Sequence, residues 1–573
     1  MGQAGRDRGS RSLPRFARGV LCERDVAFRR RRPSGAMGHA MKMTGCCVTT
    51  ALAVLSWACL TSQTAPPPTN DLIIVGYDRE PDTLNRFATH ILEDTMICIV
   101  EGLTVWNEKM EVVPVLAEVV PSPENGLVQV NPDGTMDVTW KLREGILWHD
   151  GTPHTSADVA FTVKAINDPS YNPESTEGFD LIESVATPDP HTAIVKYREI
   201  YAAYQDQFWR GTLPKHVLDG KDLNAFPEYD RNPLGTGPYR VKEWKTGEYL
   251  LLERHEDYWR GPAAIKEILF RFLSSSNTRV NQLRSGEVHV VDNVPLDKLD
   301  ELESLVGVTL TRTMANSYAH VALNLREVPA FRDLRVRQAV AHAIDRASIA
   351  NDVLEGVVTV VDSVIQPMSW AHNNAVKFYD YDPERARSLL REAGFEDTDG
   401  DGIVEKDGEP LRFKGTTRSG HAEWEMVLQV VQAQLKDVGI GLEIQNYEPT
   451  LLGELWFSGK LPFFLSAWTL PADPEITRFF ASDRTPPRGR NIYYYENEEL
   501  TELLYASDQV IDRDKRKELL FRAQEMVARE VPVIPLYNRT IVSAYPDVLR
   551  NVKPNPTNAG LFWNVHEWSV SAP

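Results

Sequence analysis

The chain has 573 residues, 42% hydrophobic and 25% charged, enough to bury a sizeable core and to form about two to four domains. Its net charge of -19 is unevenly spread: residues 1–58 hold 11 Lys/Arg against 3 Asp/Glu, so the remainder carries -27. So acidic a body argues against nucleic acid or an anionic membrane surface as a partner.

In chain order, the first element is a targeting segment. Met41-Lys42-Met43 supplies a short positive region, and Val48 to Leu60 is an apolar run broken by Thr49, Thr50 and Ser56. That run is too short for a comfortable membrane span. Residues 1–60 are therefore assigned to a leader and signal peptide, with Met37, Met41 or Met43 as the expected initiator. Residues 61–70, polar with Pro66-Pro67-Pro68, have the composition of a tether.

Leu72-Ile73-Ile74-Val75-Gly76 predicts a buried strand. Residues 139–166 are the best specified stretch. Trp140 and Leu142 alternate with Lys141 and Arg143, as in a half-buried strand, and Glu144-Gly145 breaks the run. Ile146-Leu147-Trp148 predicts a second short strand, and Asp150-Gly151 a turn. Thr155 and Asp158 then form a capping pair for a helix whose apolar face is Val159, Val163 and Ile166. His149 and Asp150 are read as the end of a strand, because neighbours in an extended chain point to opposite faces. Further helices are expected over 336–344, 381–395, 424–438 and 514–529, with glycines at 394 and 439 closing two of them. Val531 to Tyr537 predicts a strand with prolines at its ends or on an edge.

Several of these blocks together resemble a known family. Leu142-Arg143-Glu144-Gly145, His149-Asp150-Gly151-Thr152-Pro153 and Ala157-Asp158-Val159 match, in order and spacing, the signature of the bacterial extracellular solute-binding proteins of the peptide/nickel class, which serve ABC transporters. The resemblance extends to Pro81-Asp82-Thr83-Leu84-Asn85, Glu101-Gly102-Leu103, Leu213-Pro214-Lys215-His216 and Pro233 to Tyr239, and covers nearly all of residues 71–570. It implies an α/β fold of the periplasmic-binding-protein (Venus-flytrap) type, two lobes with an extra subdomain in the first. The implied division is 71–322 plus 537–573 for lobe I and 323–536 for lobe II. Crossing strands are expected near Ala319 to Leu325 and Pro535 to Tyr545. It further implies an extracytoplasmic receptor, monomeric, that feeds a peptide or similar small solute to an ABC permease in the inner membrane. Leu55-Ser56-Trp57-Ala58-Cys59 resembles a bacterial lipobox, which makes Cys59 the expected lipidation site and leaves Cys98 as the one thiol of the mature chain. A secreted hydrolase, or a sensor of the same fold feeding a signalling partner, are the alternatives.

Enzyme constellations are not found: there is no Gly-x-Ser-x-Gly elbow, no zinc helix and no phosphate loop, and no cofactor is expected. Gly235-Thr236-Gly237 lacks the Gly-Lys-Ser/Thr ending of a nucleotide loop and reads as a turn. Asp397, Asp399 and Asp401 occupy calcium-loop positions with a glycine following. Position 12 is Gly408 where a Glu is required, so an acidic turn is favoured over a metal site. The resemblance places Trp468 in the second-lobe loop that faces the ligand. In peptide-binding members an Asp soon after that Trp pairs with the ligand's amine; here Leu470-Pro471 takes its place. The amine is therefore expected to contribute little, unless Asp473, Glu80 or Asp82 substitutes. Tyr318, beside the first crossing, completes the set of candidate ligand-binding residues.

Overall fold

The computed structural model describes residues 67–89, 94–486 and 488–571. The leader, most of the tether and Cys59 lie outside them. No helix among the described residues is long and apolar enough to cross a membrane.

The first lobe begins with β1 (Leu72–Tyr77), whose residues 73–77 are all buried. Such a strand needs cover on both faces, and it pairs in parallel with a later strand, Glu267–Phe272. A separate four-stranded antiparallel sheet follows, built from β2 (Val128–Val130), β3 (Met136–Lys141), β4 (Ile182–Asp189) and β5 (Thr192–Tyr197) in the order β2-β3-β5-β4. The predicted alternation holds: Trp140 and Leu142 are buried and Lys141 and Arg143 half-buried, and β3 carries the same pattern back through Val138 and Met136. Truncating a Trp in that position costs about 3–5 kcal/mol. Gly145 and Gly151 both have positive φ, 75° and 84°, as their turns require. Between them Ile146-Leu147-Trp148 does not form the expected strand; a single bridge, Leu147 to Pro153, is all that pairs. Two glycine turns this close leave no length for a ladder. Helix α1 (Ser156–Ile166) starts as predicted, with the Asp158 carboxylate accepting the Thr155 N–H at 2.9 Å.

The main sheet has eleven strands and runs through both lobes. On the first-lobe side β6 (Tyr239–Lys245), β7 (Tyr249–Arg254) and β8 (Glu267–Phe272) lead to β1 and then β9 (Val290–Val291). The long strand β10 (Val308–Leu323) begins well before Ala319. On one side it pairs antiparallel with β13 (Phe463–Thr469), beyond which lie β11 (Arg412–Thr416) and the edge strand β12 (Gly441–Ile444); on the other, β14 (Val533–Pro546) pairs with it antiparallel along most of its length. The register shifts between Met314 and Tyr318 and again between Ala319 and His320. Pro535 faces His320 at the second shift, inside β14, not at its end. A bulge tolerates a residue with no N–H, which reconciles proline with an interior position.

Helices α2 (Leu334–Ala343), α3 (Pro383–Glu392), α4 (Ala422–Asp437), α5 (Glu498–Asp508) and α6 (Arg513–Glu530) cover the second-lobe sheet. Asp382 caps α3 by accepting the Arg385 N–H at 2.9 Å. The buried apolar residues separate accordingly. One cluster runs from Tyr318 to Tyr537 and fills the second lobe; three others, around Trp140, Phe270 and Leu302, fill the first.

Candidate ligand-binding site

Strand β13 ends beside the middle of β10, Thr469 opposite Ser317. Leu470-Pro471, directly after it, is pinned by Asn316 of the crossing strand. The Leu470 N–H donates to the Asn316 carbonyl at 2.8 Å, and the Asn316 amide donates back to the Leu470 and Pro471 carbonyls at 2.9 and 2.8 Å. Trp468 projects from β13 into an aromatic wall. It stacks on buried His320 at 5.7 Å with 15° between planes, and lies 4.7 Å from Phe479 and 5.5 Å from Trp456. Its indole N–H donates to the Tyr493 hydroxyl at 2.9 Å. Tyr318 is fully buried and bonds the same hydroxyl, so it supports Trp468 from behind. Burial holds His320 neutral, with its pKa down to about 3.

The three acidic candidates are engaged elsewhere. Asp473 makes a bidentate pair with Arg516, 2.6 and 2.7 Å, beside α6. Glu80 accepts the Trp244 indole N–H at 2.7 Å and the Gly247 N–H at 2.9 Å. Asp82 accepts the Thr83 N–H at 2.9 Å and the Thr89 hydroxyl at 2.7 Å, closing its own loop.

What the sequence did not single out is a set of charges far apart in the chain. Arg478 reaches Glu177, 301 residues away, at 3.0 Å, and Arg490 reaches Glu174, 316 residues away, at 3.1 Å. Arg210, in the first lobe, donates to the same Glu174 at 2.8 Å. Glu475 lies 3.5 Å from Arg478. Burial, and next the charge of Glu177, push the Glu475 carboxyl up, while Arg478 keeps Glu177 below its ordinary value against the effect of burial. The two neighbouring carboxyls are thus pushed apart, Glu475 upward and Glu177 downward. Nearby, burial and the charge of Asp473 push Asp206 up to about 8, and burial pushes Asp508 up to about 7. The Ala202 N–H also donates to the Asp508 carbonyl at 2.8 Å. The available signals were Phe208-Trp209-Arg210 and Arg488-Gly489-Arg490, aromatic and basic residues side by side in an acidic chain.

The other sequence candidates separate cleanly. His149 turns to the glycine loop, with Nε2 3.1 Å from the Gly237 carbonyl, whereas Asp150 pairs with His216 at 2.8 Å. They do not face each other. Gly235 and Gly237 pack on the backbone of Ile99 so closely that a Cβ at Gly235 would fall 1.9 Å from its carbonyl oxygen. Asp397, Asp399 and Glu405, not Asp401, bring carboxylate oxygens within 4.8 Å of one another at the surface. Asp397 accepts the Gly400 and Gly402 N–H groups at 2.7 and 3.1 Å, and Asp401 pairs with Arg412 at 3.5 Å.

Comparison with known proteins agrees with this architecture. Residues 111–485 match the family model described as bacterial extracellular solute-binding proteins, family 5 middle. The oligopeptide-binding protein AppA of Bacillus subtilis is 28% identical over 507 residues, 87% of this chain and 91% of AppA. The glutathione-binding protein GsiB of Escherichia coli K12 is 26% identical over 464 residues, 78% of this chain and 84% of GsiB. The structure of AppA in complex with a nonapeptide superposes with a TM-score of 0.79 at 27% identity, covering 88% of this chain and 100% of AppA. NikZ of Campylobacter jejuni in complex with Ni(L-His) gives 0.78 at 26% identity over 88% of this chain and 100% of NikZ.

Proposed function

This chain belongs to the bacterial extracellular solute-binding proteins, family 5, and from that premise we propose that it captures a peptide or similarly sized solute for an ABC permease in the inner membrane. Members of this family work outside the cytoplasm, in the periplasm or at the cell surface, and its relatives are binding proteins, not enzymes. The observation that carries the reading is the wall of Trp468, Trp456 and Phe479 beside ion pairs contributed by both lobes. Such a surface offers apolar burial with a few polar groups to fix orientation.

In this reading lobe I (71–322 plus 537–573) and lobe II (323–536) close by rotation about the paired β10 and β14. Closure presents a new combined surface to the permease. Trp468 packs on the solute, with Tyr318 and Tyr493 holding its ring. The chain acts as a monomer, and a lipid on Cys59 keeps it at the membrane.

The test is native mass spectrometry of protein purified without denaturation, followed by release and identification of what it carries. A peptide is expected. A sugar or a lipid as the sole bound species would overturn the peptide reading.

A further inference from the structure

The core divides at one place along β10. Val308 and Leu310, with Val542 and Ala544 of β14, pack in the cluster around Leu302. From Tyr318 onward, and from Val533 to Tyr537 on the partner strand, the buried apolar residues belong to the second-lobe cluster. Between the two, Met314 pairs with Thr540 and Tyr318 with Asn538, so Ala315, Asn316 and Ser317 stand opposite Arg539 alone. The strands therefore bulge where one core ends and the other begins.

These three residues are buried, so their backbone groups need partners. They find them outside the ladder of β10 and β14. The Asn538 side-chain amide donates to the Ala315 and Ser317 carbonyls at 2.8 and 3.1 Å, and to Gln366 Oε1 at 2.8 Å. The Asn316 N–H donates to the Pro556 carbonyl at 2.7 Å. Pro556 follows Asn555, whose side-chain amide is fixed to the Trp106 carbonyl at 2.8 Å. In the other direction Asn316 makes its bonds to Leu470 and Pro471, directly after the strand that carries Trp468. A bend at the bulge thus breaks no rung of the ladder before it or after it.

We infer that residues 315–317 are the pivot on which the two cores turn, and that Asn316 is a positioning residue that carries the Trp468 loop through the turn. The inference rests on the reading of the Trp468 wall as the solute site. Hinges concentrate their change of φ and ψ in a few residues, and here the bulge supplies the slack. Asn316 is bonded to Leu470-Pro471 through its carbonyl and its side chain, and to Pro556 only through its N–H. It therefore moves with the loop, and rotation stretches the bond to Pro556. The aromatic wall meets the solute at an angle set by the pivot. Asn316 is fully buried and acts through the loop, without touching the solute.

The experiment is hydrogen–deuterium exchange of the full chain, read by mass spectrometry, with N316A and N316D beside the wild type. Within wild-type β10, residues 315–317 are expected to exchange at least about tenfold faster than the paired stretches 308–313 and 319–323. In N316A, residues 463–474 are expected to exchange faster as well, with α1 and α3 unchanged. Calorimetry with the tripeptide Ala-Phe-Ala is expected to show affinity at least about tenfold weaker in N316A, about 1.4 kcal/mol. N316D keeps the shape of the side chain but loses both donors, so it is expected to match N316A. Uniform exchange along wild-type β10 would overturn the pivot whether or not the variants fold. Unchanged affinity in either folded variant, or faster exchange spread evenly over the chain, would overturn the positioning role. If the wild type binds no tripeptide, the peptide reading falls and the exchange data alone decide this inference.

Discussion

Asp473 and Arg516 meet through both carboxylate oxygens, at 2.6 and 2.7 Å, and the arginine side chain is only 3% exposed. This pair fastens the loop after β13 to helix α6. Asp473→Asn leaves a buried guanidinium without its counter-charge, which costs about 3–5 kcal/mol. Urea unfolding monitored by circular dichroism measures it. A loss under about 1 kcal/mol, the range of an exposed pair, would mean the pair is solvated and free to serve the solute.

Trp468 has a separable packing role and hydrogen-bonding role. Trp468→Phe keeps the stack on His320 and Phe479 but removes the donor to Tyr493, a loss of about 1 kcal/mol in stability. Trp468→Ala removes the ring and is expected to weaken the native solute at least about tenfold, or about 1.4 kcal/mol, in calorimetry. Unchanged affinity in the alanine variant would remove this residue from the site.

The buried carboxyls give stability a direction with pH. Asp206 keeps its proton in the fold up to about pH 8, and Asp508 up to about 7. In the unfolded chain both release it near pH 4. The folded state therefore holds more protons across this window, and stability falls as pH rises from about 4 to 8, levelling off above. Asp206→Asn is expected to flatten the part of the slope above pH 7, read from melting temperatures at pH 5 to 9. A mutant as pH-sensitive as the wild type would exclude Asp206 as the source.

The acidic loop satisfies itself, with Asp397 accepting backbone N–H groups and Asp401 paired to Arg412. Calcium is expected to leave the melting temperature unchanged. A true site at a hundredfold excess over its dissociation constant would add about 2.7 kcal/mol. A rise in melting temperature that disappears in Asp399→Ala would establish the site.

Anchoring through Cys59 predicts that labelled fatty acid marks the wild-type protein and not Cys59→Ala. Two or more acyl chains give stable attachment where one gives only marginal binding. Label retained by the variant, or a mature N-terminus beyond Cys59, would refute it.

Local patterns were legible because they obey short-range rules. The alternation of Trp140 and Leu142, the Thr155–Asp158 cap and the positive φ of Gly151 follow from neighbours a few residues apart. Trp468 alone was reached, through family resemblance; the His320, Trp456 and Phe479 rings around it were not, since periodicity does not distinguish a wall from a core. Arg490, Glu174 and Arg210 were not legible. Arg490 lies 316 residues from Glu174, and each alone is an ordinary surface charge in the sequence. Asp473 was misleading for the same reason: its partner Arg516 lies on a helix 43 residues on.

The pairing of β9 and β10 with β14 sets an order of synthesis. Val291 and residues 308–314 find their partners only between residues 540 and 546. Asn70, before the first strand, bonds Val570 at 2.8 Å. A ribosome therefore delivers β1 almost a whole chain length before the strand that completes its sheet. The second-lobe core, drawn from one continuous stretch between Tyr318 and Tyr537, needs no such wait. During emergence the unpaired edges of β9 and β10 remain open to foreign strands, a hazard for any chain that stops short of residue 546.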